Sequence, residues 1–267
     1  MADTADTAEL AKGYTLVNDT QYATGLFLLD KLAVTPGERV LDVGCGPGNI
    51  TAHIADLVAS GGGGGGIVVG VDPSPERIAL AGQLARPSLE FHVGRAEDLS
   101  RFADASFDVI YVNSTFHWVQ DQPAAAAEFA RVLRPGGRLG ISGGSGDFVA
   151  VHEVIKVDVL SRAPYRDYPD RGSGPKFLKR AELEGILGTA GFGERRIVVN
   201  RIVKTAKDGY AMIDWLDTSS SGKTYGGIPL EMRPQAREEM KLEWDKHTTD
   251  EGIKMDMELL VTVAIKD

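Results

Sequence analysis

The sequence predicts an α/β fold: a seven-stranded, mostly parallel sheet with helices on both faces, plus a helical and loop lid inserted after the fifth strand. Two observations carry that prediction. Short β-branched runs alternate with helix-like segments, the rhythm of βα units and a parallel sheet. After about residue 143 the rhythm breaks, and glycine, proline and aromatic residues crowd SGGSGDF and RAPYRDYPDRGSGPKF.

The first five strands are predicted at 39–44 (RVLDVG), 66–72 (GIVVGVD), 89–94 (LEFHVG), 107–113 (FDVIYVN) and 137–142 (GRLGIS). Helical patterns fill the gaps as NITAHIADLVA, PERIALAGQLA and PAAAAEFARVL. Asn49 is the expected start signal of the first, Pro75 and Pro123 of the others, and RPGG at 134–137 the stop of the last. Beyond the break, VAVHEVIKVDVL reads as a helix within the insertion. KRAELEGILGTA then ends on a glycine stop, GFG, and leads to strands at 195–204 and 257–266. Between those strands, YAMIDWL and MRPQAREEMKLEWDKH pattern as amphipathic helices. The tract GGGGGG at 61–66 reads as a surface connection, since no Lys-Ser/Thr follows to make it a phosphate loop.

Composition narrows the function classes. The chain has 267 residues, 43% of them apolar, and a formal charge of −9. That charge, with no Lys/Arg cluster, argues against nucleic acid as a partner, because such binding is built on neutralising phosphates. No apolar run is long enough to span a bilayer, and MADTADTAEL lacks a signal-peptide pattern, so a cytoplasmic protein without a membrane partner is expected. A single cysteine, Cys45, excludes an internal disulfide, and five scattered histidines leave metal binding without support. A small-molecule substrate is the expected partner, with a monomer or homodimer as the assembly.

The chemistry-bearing motif is VLDVGCGPGN, which sets Asp42, Gly44, Gly46 and Gly48 at the exit of the first strand. Open α/β sheets bind ligands at the carboxyl ends of their strands, where glycines let backbone approach closely. A dinucleotide fingerprint would need a third glycine at position 49, which is Asn. Asp72 ends the second strand, suited to accept from ribose hydroxyls, and RAEDL (95–99) forms a polar turn at the same edge.

Taken in order, VLDVGCGPGN, GVDPS, GRAEDL, FDVIYVN and RVLRPGGRL resemble the class I S-adenosylmethionine-dependent methyltransferases over residues 39–143. The resemblance implies a Rossmann-like fold and a single methyltransferase domain over 1–267. Its parts would be an N-terminal helical cap (1–35), a cofactor-binding core (36–143), lid and substrate elements (144–180 and 205–250), and the last two strands (195–204 and 257–266). It implies S-adenosyl-L-methionine as cofactor and S-adenosyl-L-homocysteine as product. Gly44, Cys45 and Gly46 would pass the methionine part, Asp72 with Pro73 the ribose, and the turn Arg95, Ala96, Glu97 the adenine. Relatives often carry Asp where this chain has Arg95, which shifts the expected adenine contact to backbone Ala96 or to Glu97.

Near the N-terminus, Tyr14, Asn18 and Gln21 are spaced to share one helical face. That pattern, with FHWVQD after the fourth strand, is similar to the trans-aconitate and juvenile hormone acid methyltransferases, which methylate small carboxylates. The similarity implies cofactor-side roles for Tyr14, Asn18 and Asn113, and acceptor-side roles for Gln21 and Trp118. A carboxylate arrives ionised and needs no base, whereas a phenol or amine must lose a proton, which would make His117 catalytic. O-, S- or N-methylation of a secondary metabolite is therefore the alternative, as is a methyltransferase-like protein that binds the cofactor without transfer. NSTF in place of an NPPY-like motif disfavours nucleic-acid or protein amine methylation, and the lone cysteine disfavours arsenite. Phe148, Tyr165, Tyr168, Phe177, Trp215 and Tyr225 could roof an apolar pocket, with Arg162, Arg166 and Arg171 available to an acidic substrate.

Overall fold

The computed structural model describes residues 19–60, 65–170, 174–220 and 223–267. Tyr14, Asn18, Arg171 and most of the glycine tract lie outside them. In chain order the elements are α1 (Asp19–Leu32), β1 (Arg39–Val43), α2 (Asn49–Ala59), β2 (Ile67–Asp72), α3 (Pro75–Ala81), β3 (Leu89–Val93) and β4 (Phe107–Asn113). There follow α4 (Gln122–Val132), β5 (Leu133–Gly144), α5 (Val151–Leu160), α6 (Arg180–Thr189) and β6 (Phe192–Ala206). The chain finishes with α7 (Gly209–Ser219), α8 (Arg233–Asp245), β7 (Thr248–Thr249) and β8 (Gly252–Lys266). The sheet runs β3-β2-β1-β4-β5-β8-β6, its first four pairings parallel and β5–β8 antiparallel.

All seven expected strands are present. The eighth, β7, is two residues long and too short to leave a periodic pattern. Asn49 does not cap α2: Gly48 holds the capping position with φ 87 and no side-chain bond, because the loop enters the helix through a left-handed turn. RPGG does not stop α4 either. The helix ends at Val132, where Ala105 and Ser106 donate their N–H groups to the Arg131 and Val132 carbonyls. Residues 134–137 already belong to β5, where the register shifts against β4. Ser74 and Asp121 cap α3 and α4, accepting from Arg77 N and Ala124 N, with a proline in each first turn as read from the sequence.

The chain forms two compact units. The larger holds residues 19–147, 176–200 and 259–267, which include β1–β5. Its sheet is buried on both faces, so the strands read as nearly continuous apolar runs. Leu41, Ile110, Leu139 and Leu260 pack with Phe129 and Leu187 on one face, while Val40, Val109, Tyr111 and Val261 pack with Leu28 and Ile54 on the other. The smaller unit, described over 148–170, 174–175, 201–220 and 223–258, has its own core built on Tyr165, Met212, Trp215, Met240 and Trp244.

One glycine seats α1 on the sheet. A Cβ at Gly25 would lie 2.2 Å from Ile50 Cδ1 and 2.4 Å from the Tyr111 hydroxyl, and Tyr111 is a stiff side chain buried in the core. Gly25→Ala is expected to lower stability by about 1–2 kcal/mol in denaturant unfolding, the steric cost outweighing the ~1 kcal/mol gain in helix propensity.

Candidate active site at the carboxyl edge of the sheet

β1 ends one residue before a loop held against β2. Gly44 and Cys45 both donate backbone N–H groups to the Val71 carbonyl, at 2.7 and 3.1 Å. Gly44, Gly46 and Gly48 take φ values of 77, 54 and 87, a left-handed path that side chains resist. Asp72 ties the loop down: one carboxylate oxygen accepts from Gly46 N at 3.0 Å, the other from Ser74 N at 2.9 Å. Asp72 is buried, and Pro73 beside it is exposed.

Beneath the loop lies a second carboxylate. Asp42 is 2% exposed and accepts from the Thr51 hydroxyl at 2.7 Å. Burial pushes its pKa up to about 7, against the pull of the Thr51 bond and with a further push from the Asp72 charge. The Cys45 thiol is likewise pushed up, by burial first and then by Asp42 and Asp72. It stays protonated and is no nucleophile at neutral pH.

The 95–97 turn sits beside this loop, since Val93 pairs with Asp72 in register and Gly94 N donates to the Asp72 carbonyl at 3.1 Å. Arg95 is exposed and lies 3.7 Å from Glu97, Ala96 is buried, and Glu97 accepts from Gln120 N at 3.1 Å. The adjacent Leu99 N donates to Glu128 at 2.8 Å, and Glu128 is in turn paired to Arg131.

On the other side of β1, Asn113 closes β4 and donates its amide to the Gln21 carbonyl at 2.9 Å. Among the described residues the buried side-chain oxygens of Asn113 and Gln21 have no hydrogen-bond partner, two acceptors brought to one edge of the sheet. Ser114 then adopts φ 52, a strained value for a residue with a side chain. That turn lays Thr115 over Gly44: a Cβ on Gly44 would meet Thr115 Oγ1 at 2.1 Å. Thr115 donates to the Asn113 carbonyl at 2.9 Å.

Phe116–Trp118 form a single 3-10 turn. The His117 ring sits between Trp118 and Phe177, with centroids 5.3 and 5.0 Å away. Lys176 N donates to the His117 carbonyl at 2.6 Å, and the Gln122 amide bridges the Phe116 and Lys176 carbonyls at 3.0 Å each. Phe116, His117, Gln122 and Lys176 line a cavity of about 20 Å³ with Gly143 and Leu260. His117 Nδ1 is buried with no partner among the described residues, and burial pushes the imidazole pKa down to about 4.

The structure thus gathers Gly44, Cys45, Gly46, Asp72 and Pro73 at one loop, sets Arg95, Ala96 and Glu97 beside it, and joins Gln21 to Asn113. The sequence reading missed Thr51 and Thr115. Thr51 sits in the first turn of the helix after the loop and could have been sought as a donor to Asp42. Thr115 carries no sequence signal, because the left-handed Ser114 aims it.

Three of the expected pocket aromatics are core residues. Tyr165, Trp215 and Tyr225 are packed into the smaller unit's core with Met212, Met240 and Trp244. Arg162 is paired with Asp158 and, at 2.8 Å, with Glu243. Arg166 is exposed, 4.0 Å from Asp167. Among the described residues no cluster of His, Cys, Asp and Glu could hold a metal ion, and no helix is long and apolar enough to cross a membrane.

A methyltransferase domain model matches residues 41–141. The chain is 38% identical to the nocamycin O-methyltransferase of Saccharothrix syringae, over 70% of this chain and 71% of that one. It is 33% identical to the trans-aconitate 2-methyltransferase of Deinococcus radiodurans, over 45% of this chain and 43% of the other. It spans about half the length, or less, of the first curated relatives it matches. The YcgJ protein of Bacillus subtilis shares its fold, with a TM-score of 0.64 at 20% identity, over 91% of this chain and 98% of that one.

Proposed function

The chain belongs to the S-adenosylmethionine-dependent methyltransferases, and from that premise we propose that it methylates an oxygen of a small organic molecule, with a carboxylate favoured. The residues present suit the cofactor. Two left-handed glycines at 44 and 46 thin the backbone, two buried carboxylates favour a cation, and the unpartnered oxygens of Gln21 and Asn113 await donors. When bound, the cofactor supplies an electrophilic methyl group on a sulfonium.

In this reading Gly44, Cys45 and Gly46 lie along the methionine part, and Tyr14 and Asn18 are further cofactor-binding residues. Asp72 accepts from ribose beside Pro73, Arg95, Ala96 and Glu97 border the adenine, and Asn113 borders the methyl end. Gln21 and Trp118 shape the acceptor's place. Residues 144–180 and 205–250 are proposed as acceptor-side elements of a single methyltransferase domain. The protein's own task is to hold an acceptor oxygen in line with the methyl carbon and to exclude water.

The observation that carries the carboxylate preference is His117. A base with a pKa of about 4, packed between two aromatic rings, is poorly matched to removing a phenol's proton at pH 7, whereas a carboxylate needs no base. The trans-aconitate methyltransferase among the relatives supports the same preference.

The test is mass spectrometry of products after incubation with labelled cofactor and a panel of acids, phenols and amines. A methyl ester is expected. His117→Ala should keep its rate within about threefold of the parent at every pH from 6 to 9, while Trp118→Ala loses on the order of tenfold. A methylated phenol whose formation collapses below pH 7 only when His117 is present would overturn the carboxylate reading.

A further inference from the structure

The glycine loop and the turn after β4 leave two neighbouring strands. β1 and β4 pair in parallel, with Asp42 opposite Tyr111. The loop is fastened from the β2 side, where the Val71 carbonyl accepts from Gly44 N and Cys45 N and Asp72 accepts from Gly46 N. The turn is fastened from the β5 side, where Ser114 N donates to the Ser142 carbonyl at 2.7 Å. Thr115 reaches from the turn to the loop. Its side chain takes the place of any side chain at position 44, where a Cβ would lie 2.1 Å from Oγ1, 2.3 Å from Cγ2 and 2.7 Å from Cβ of Thr115. Its hydroxyl donates to the Asn113 carbonyl at 2.9 Å, with the Gly44 carbonyl 3.4 Å away. In the other direction, the Thr115 carbonyl accepts from Trp118 N at 2.8 Å. A β-branched side chain is stiff at χ1, so both branches stay where the backbone aims them.

We propose that Thr115 is a positioning residue that links the two halves of the site: its side chain bears on Gly44, its carbonyl holds Trp118, and the two places therefore move together. The proposal rests on the reading above, in which Gly44 borders the cofactor and Trp118 the acceptor. In-line transfer needs reacting atoms held about 3–3.5 Å apart, and a misplacement of about 1 Å costs on the order of a hundredfold in rate. The glycine loop does not need Thr115 for its own shape, since Val71 and Asp72 hold it from the far side. What Thr115 adds is the alignment of the turn with the loop. Position 44 must then lack a side chain for two reasons, its φ of 77 and the space that Thr115 takes.

The link can be tested without an acceptor, by titrating S-adenosylhomocysteine into the full chain and following both calorimetry and tryptophan emission. Trp215 and Trp244 lie in the smaller unit's core and give the background, and the part of the signal lost in Trp118→Phe belongs to Trp118. In the parent, binding at the glycine loop is expected to change Trp118 emission. In Thr115→Ala the Kd should stay within about threefold of the parent's, while the Trp118 emission change at saturation falls to about half or less. Thr115→Ser keeps the oxygen bonded to the Asn113 carbonyl, should recover most of the lost signal, and remains informative should the alanine variant fold poorly. A residue that only packs would alter thermal stability and leave that signal intact. An undiminished emission change in Thr115→Ala, a Kd weakened by more than about threefold, or a serine variant as impaired as the alanine one overturns the proposal. Binding to the parent with no Trp118 signal overturns it as well and leaves the cofactor reading standing. Failure of S-adenosylhomocysteine to bind the parent overturns both.

Discussion

Asp72→Ala is expected to weaken S-adenosylmethionine binding by about a hundredfold or more and to lower the melting temperature as well. The two effects share one cause. Each Asp72 oxygen holds one backbone N–H, at Gly46 and at Ser74, so the side chain fixes both the glycine loop and the entry to α3. Charge-assisted bonds of this kind contribute about 1.5–3 kcal/mol each, and removing the acceptor leaves buried N–H groups unpaired. Without them the free loop loses its fixed geometry, and re-ordering it on binding together with the lost contact to a ribose hydroxyl is expected to cost the ~2.8 kcal/mol that a hundredfold change represents. Asp72→Asn sharpens the test. The amide keeps the shape but turns one acceptor into a donor, so one of the two N–H groups must face an NH2. A loss close to that of the alanine variant is expected. Calorimetric titration gives the affinity and thermal unfolding the stability; wild-type values for both in Asp72→Asn would remove Asp72 from the site.

Much of the fold is legible in the sequence. The βα rhythm placed seven strands, because a parallel sheet buried on both faces leaves continuous apolar runs such as IVVGV and FDVIYV. The glycine loop and Asp72 were legible because each needs a particular residue at a particular place: no side chain at left-handed positions, and a carboxylate at the end of β2. Helix boundaries were not. Asn49 and RPGG carry the right residue types, yet the loop's left-handed turn and the register shift against β4 decided where α2 starts and where α4 stops.

The site was hardest to read where one residue's role depends on another's backbone. Thr115 covers Gly44 only because Ser114 sits at φ 52. His117 was visible as a base by type, but Phe177, sixty residues on, packs against its ring, and burial removes its basicity. Tyr165, Trp215 and Tyr225 are of the residue type that walls a pocket, and composition carries no sign of their burial together in the smaller unit's core. Local chemistry is written in the sequence, whereas tertiary neighbours decide how that chemistry is tuned.

The same two tuned groups predict an unusual pH response. Asp42 has its folded pKa raised from 3.8 to about 7, so between those values the folded chain keeps a proton that the unfolded chain has lost. Its contribution to stability is complete below about pH 4 and disappears as pH rises to about 7, at ~1.4 kcal/mol per unit. His117 is lowered from 6.5 to about 4, so in that window the unfolded chain binds the proton and the folded chain does not. Here stability falls as pH drops from about 6.5 towards 4, with the same slope and the opposite sign. Between pH 4 and 6.5 the two largely cancel in the wild type. Single substitutions uncover them. Relative to wild type, Asp42→Asn should gain stability as pH rises from 4 to 6.5, by roughly 3 kcal/mol across the window, as the His117 slope acts alone. His117→Phe, which preserves the stacking between Trp118 and Phe177, should lose a similar amount as pH rises over the same range. The double variant should run parallel to wild type, since no shared hydrogen bond links the two groups and their effects should add. Urea unfolding at half-unit pH steps gives the four curves. A difference curve for Asp42→Asn that stays flat between pH 4 and 6.5 would show that the buried carboxylate keeps an ordinary pKa.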